Sequence, residues 1–144
     1  MLLISFNSIF CQTKKVLVET PNPLTYTSFW GPVSSGNIKS AQIIAIVQAP
    51  ILVKDNLGQL YKVSDFRINY SFSGSYKDES SGQVKSMKDL RVADFNNVNV
   101  LSSVWSESIK DNIKPGDKII MNKIFFINKN GKMMIAPDLR ITVY

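Results

Sequence analysis

The side chains best suited to acid–base work are the adjacent carboxylates Asp78 and Glu79. A glycosidase-type pair needs two carboxyls at a set separation, one of them in an apolar cleft that raises its pKa. Asp78-Glu79 lies instead in the middle of a polar stretch, Gly74 to Gly82, where paired acids solvate a loop. Asp55, Asn56 and Gly58 bring oxygen donors close to a glycine, as cation loops do. They lack the calcium-loop spacing and read as a turn. No glycine-rich phosphate motif is present, and there is no histidine. The single cysteine, Cys11, ends an apolar leader. Without His or a second Cys there is no Ser-His or Cys-His pair, no ordinary zinc site and no imidazole proton shuttle. The expectation is a binding protein, not an enzyme, with no catalytic, cofactor or metal residues to assign.

Two groups are candidates for holding a partner. Tyr26, Phe29 and Trp30 lie among prolines and loop residues. Exposed, they would form an aromatic contact patch; packed, they would plug the end of a β-structure. Lys85, Lys88 and Arg91 follow at short spacing. They would steer an acidic partner or guard an edge strand against aggregation. Trp105 lies on an apolar helix face and is expected in the core.

The elements that must position these residues are mostly strands. Tyr26 to Trp30 is extended, and Gly31-Pro32 with Ser34 to Asn37 reads as a loop. Ile38 to Val53, divided by Pro50, is a buried strand or short turn of helix followed by a second strand; periodicity does not decide between them. Asn56-Leu57-Gly58 is a turn. Leu60 to Ser73 is the clearest strand, with Phe66, Ile68, Tyr70 and Phe72 alternating with polar residues. Tyr61 and Val63 fall on the opposite parity, so a β-bulge near Ser64-Asp65 is expected to restore one apolar face. Val84 to Val92 reads as an edge strand. Leu101, Val104, Trp105, Ile109 and Ile113 give helical spacing over Leu101 to Ile113, and Pro115-Gly116-Asp117 ends it. Lys118 to Asn128 is apolar on both faces and so central. Asn130-Gly131 is a hairpin turn, and Leu139 to Val143 a closing strand. The fold class is mostly β: an immunoglobulin-like sandwich with one short helix. The alternative is an α+β fold with the helix on an antiparallel sheet.

A length of 144 residues suits one domain. The net charge of +6 is dispersed, with Lys14-Lys15 the longest basic run. A nucleic-acid surface would need clustered charge or a motif, so no nucleic-acid partner is expected. Residues 1–12, MLLISFNSIFCQ, read as a signal peptide, although no basic residue precedes the apolar run. The single domain then covers 13–144, with a first strand at Lys15 to Glu19. No stretch is long enough to span a bilayer.

The order of segments resembles a known family. A Pro-Asn-Pro stop at Pro21 to Pro23 leads to Gly-Asn-Ile-Lys-Ser-Ala-Gln-Ile-Ile at Gly36 to Ile44. Tyr-Lys-Val-Ser-Asp-Phe-Arg-Ile follows at Tyr61 to Ile68, and Pro-Gly-Asp-Lys-Ile-Ile-Met-Asn-Lys-Ile-Phe-Phe at Pro115 to Phe126. Leu-Arg-Ile-Thr-Val ends the series at Leu139 to Val143. In this order they resemble the C-terminal domain of GldM, the gliding-motility and type IX secretion protein of Bacteroidetes. The resemblance covers about Val16 to Tyr144. It implies a periplasmic or secreted β-sandwich that docks on envelope or outer-membrane-associated proteins, as a stand-alone copy of the shaft's tip. It supplies no catalytic residues and no cofactor. The other expectation is a secreted carbohydrate- or peptide-binding β-sandwich, in which Tyr26, Phe29 and Trp30 stack on the ligand.

Overall fold

A computed structural model describes residues 23–144. The leader, Lys14-Lys15 and the strand expected at Lys15 to Glu19 lie outside the described residues, as does most of the Pro21 to Pro23 stop. The chain runs β1 (Tyr26–Trp30), β2 (Gly36–Ile38), α1 (Ser40–Ile46), β3 (Ile51–Asp55), β4 (Leu60–Lys77), β5 (Val84–Asn96), α2 (Ser103–Asn112), β6 (Lys118–Ile127), β7 (Met133–Ala136) and β8 (Leu139–Val143). The mostly-β expectation holds, with two short helices in place of one among the described residues. The strands join in one curled, eight-stranded sheet of order β1-β3-β4-β6-β8-β2; β5 lies on the far side of β4, and β7 pairs with β6.

β4 holds this sheet together, and its sequence explains how. Its start pairs with β3 at Lys62–Leu52, its middle with β6, and Asp65 to Lys77 with β5. Tyr61 and Val63 are buried, and so are Phe66, Ile68 and Tyr70 on the other parity. The ladder with β6 shifts register between Val63 and Asp65, where a bulge was expected. A second shift, between Asp65 and Arg67, belongs to β6. There Lys123 adopts φ 48°, a left-handed conformation uncommon for a residue with a side chain. That extra residue moves burial from Ile124 and Phe126 to Met121 and Ile119. The apolar character of β6 on both faces is therefore a change of phase, and its central position between β4 and β8 holds. The bulge also aims Asp65: its Oδ1 accepts the Asn97 N–H at 2.8 Å and ties down the exit from β5.

Two local readings need correction and two are made more definite. Gly36–Ile38 is not loop but a short parallel partner of β8, with Gly36 opposite Ile141. Parallel pairing over such a sequence distance leaves no local signal. Gly74 to Lys77 continues β4, because β5 supplies a partner through Lys77–Val84. The Asn130-Gly131 turn leads into β7 before β8, so the hairpin closes on Met133–Ala136. The undecided segment Ile38 to Val53 resolves into α1 and β3. α2 begins on Ser102, whose side chain accepts the Trp105 N–H, a standard N-cap.

The core lies inside the curl, where Trp30, Ile43, Ile51, Phe66, Tyr70, Ile109, Met121 and Phe126 are all essentially inaccessible. Both helices contribute, α1 through Ile43 and Ile46 and α2 through Ile109. Gly31 is needed at the rim. It sits at φ 56°, and a Cβ there would lie 2.9 Å from that of Ala49. Two buried polar side chains lack full satisfaction. Among the described residues, Trp30 Nε1 has no hydrogen-bond partner, and neither has Asp117 Oδ1. The other Asp117 oxygen accepts from the Tyr70 hydroxyl at 2.9 Å and from the Lys114 N–H at 3.0 Å.

Candidate protein-docking site

The candidate partner residues fall in different places. Trp30 is fully buried and presents no surface, which corrects the exposed-patch reading for that residue. Strand parity is the cause: Ser28 and Trp30 point inward, while Thr27 and Phe29 point out. Tyr26 also lies on the inner side. Its ring stands 5.8 Å from Tyr61 and 4.8 Å from Phe126, centroid to centroid. Phe29 alone of the three is on the outer face, half-buried opposite Leu52.

Lys85, Lys88 and Arg91 do lie together on β5, as expected for an edge strand. Their side chains have separate roles. Lys85 pairs with Asp78 at 2.9 Å across the ribbon tip. Arg91 lies 5.0 Å over the Phe72 ring and donates to Ser108 Oγ at 2.7 Å, so it pins α2 to the sheet. Lys88 makes no ion pair among the described residues. Asp78 also accepts from the Ser80 N–H and from the Ser80 and Ser81 hydroxyls. The Lys85 ammonium, then these donors, hold its carboxyl down at about 2. Glu79 has no part in this cluster. Asp78 is a turn organiser, with no apolar cleft around it.

Asp55 is the other organising acid. Its Oδ1 accepts the N–H groups of Leu57 and Gln59, each at 2.9 Å, and Oδ2 accepts the Tyr61 hydroxyl at 2.8 Å. Burial opposes its charge, but the bonds from Gln59, Tyr61 and Leu57 outweigh this and hold the carboxyl below its ordinary range. The bond to Asp55, then burial, pushes the Tyr61 hydroxyl up to about 12. The expected turn at Asn56 to Gly58 is thus built, and Asp55 is spent inside it. Among the described residues no cluster of three or more acidic, His or Cys side chains is placed to hold a metal.

That turn forms one wall of an open cleft of about 920 Å³. Leu57, Gln59, Leu60, Lys62 and Ser64 line one side, Ile127, Asn128 and Lys129 the other, and Asn97 closes an end. The apolar surface continues past it. Ile127 faces Met133 and Phe125 faces Ile135 across the β6–β7 pair. Leu57, Leu60, Ile127, Met133 and Ile135 are each more than half exposed. Lys54, Lys62, Lys129 and Lys132 stand exposed around them. An apolar patch with a polar rim is the usual mark of a protein contact. The sequence signal is the doubled apolar face of β6, a pattern that burial on both faces would give as well. No family model matches the chain and no curated protein matches it, so the order of motifs is all that connects it with the GldM domain.

Proposed function

We propose that the chain is a non-catalytic protein-binding module, docking through the outer face of β4, β6 and β7. The exposed row Leu60, Ile127, Met133 and Ile135 carries this reading. These side chains stand on paired strands, so the surface is preorganised and little entropy is lost on contact. The lysine rim selects the partner's chemistry: an apolar segment flanked by acidic residues. Phe29 and Leu52 extend the same face toward β1. The apolar leader and the order of motifs support a place in the cell envelope, with an envelope or outer-membrane-associated protein as the partner.

The test replaces Ile127 and Ile135 together with lysine. Both side chains point outward, so the circular-dichroism spectrum and melting temperature should hardly change. Capture of a specific protein from envelope extract should be lost. Capture of the same protein by both chains, or of none by the native one, would overturn the proposal. The carbohydrate-binding alternative required three exposed aromatics, of which Trp30 is buried and Tyr26 faces inward.

A further inference from the structure

The free edge of β5 presents a second surface, unrelated to the cleft. β5 spans 13 residues and is exposed over Val84 to Val92 on both faces. Among the described residues it pairs only with β4. A long, exposed edge with apolar side chains invites another strand, and lysines normally prevent it. Here that guard is thin. Lys85 is held by Asp78 and Arg91 is folded over Phe72, leaving Lys88 alone.

We infer that β5 pairs antiparallel with β5 of a second copy, about a twofold axis through Leu90, to make a continuous sheet across a homodimer. The charges select this register. A twofold perpendicular to the sheet keeps each side chain opposite one on the same face, so the central residue must face itself. With Leu90 at the centre, Leu90 faces Leu90 and Asp89 faces Arg91, twice by symmetry. Centring on Asp89, Arg91 or Lys88 sets like charges face to face, and centring on Met87 sets Asp89 opposite Lys85, whose ammonium Asp78 already holds. In the single chain the only hydrogen bond of the Asp89 side chain, among the described residues, is from the N–H of its neighbour Leu90 at 2.8 Å. The carboxylate is therefore free to turn to an arginine. The same register places Met87 of the second copy opposite Ala93. That is beside a cleft of about 280 Å³ between β5 and α2, lined by Val92, Val104 and Trp105.

The test uses two charge reversals and their mixture. The native chain should sediment as a dimer at high concentration. Asp89→Arg and Arg91→Asp should each be monomeric there, because each creates two like-charge pairs. Mixed in equal amounts, the two variants should form a heterodimer, since every pair across the axis is again opposite in sign. Asp89→Arg touches nothing that holds the fold, so its folding should be unimpaired even if Arg91→Asp loosens α2. A monomeric native chain at high concentration, or an Asp89→Arg chain that dimerises as well as the native one, would overturn the inference.

Discussion

The two halves of β4 show how one strand can serve two purposes. From Leu60 to Ser71 it pairs with β3, then with β6, and from Asp65 also with β5, and its inward side chains fill the core. From Phe72 to Lys77 it has β5 alone, and the ribbon projects with Gly74 to Lys77 largely in water. Both halves are regular strand. What differs is the supply of partners: β6 begins only at Lys118, opposite Ser71. Strand formation needs one neighbour, whereas burial needs a layer. The inner half should therefore carry the global stability, and the outer half should open locally at little cost.

That contrast is broken most severely from the core side. Trp30→Ala removes the largest fully buried side chain and should cost about 3–5 kcal/mol, read from urea unfolding. Gly31→Ala forces a side chain into a left-handed position against Ala49 and should cost about 1–3 kcal/mol. Its melting temperature would fall, with the native spectrum retained. Tyr70→Phe strips the buried Asp117 of one of its two donors and should cost about 1–3 kcal/mol. A value near zero would mean that Asp117 gains no stability from the bond.

The outer half should answer weakly. The Asp78 carboxyl is depressed in the folded chain, so its contribution is present above its ordinary pKa and lost as pH falls through about 2. Amide shifts of Ser80 and Gly82 should move over that acid window while the core resonances hold. Tyr76→Ser, on the exposed ribbon, should change global stability by less than about 0.5 kcal/mol. A larger loss would show that the ribbon and the core unfold as one unit.

The residues that were legible in the sequence explain those that were not. Phe66, Ile68 and Tyr70 announced β4 by alternation, and the clash with Tyr61 and Val63 announced its bulge. The matching slip in β6 was hidden, because Ile120, Phe125 and Ile127 are apolar although they face out. An apolar residue on a docking face cannot be told by type from one in a core. Trp30 was ambiguous for the same reason: only its pairing with Ile51 fixes which way it points. β2 has three residues and gains its identity from β8, over a hundred positions away. The candidate site was legible in part, through Phe29, whereas the cleft required the β3–β4 turn and the β6–β7 turn to meet.

The paired bulges have a consequence for how this chain can change. Val63 faces Phe126 and Arg67 faces Asn122, so each strand uses four steps between those rungs. The two extra residues cancel in register while reversing the parity of both strands together. Loss of a single codon near Ser64 or Lys123 would slide every later rung by one and turn half the core outward. Loss of one codon at each would keep the rungs aligned but put the wrong faces inward. Length variation is therefore closed to this stretch of the gene, and it should accumulate instead at the ribbon tip, where among the described residues Glu79 to Gly82 bond only to Asp78 and Gln83.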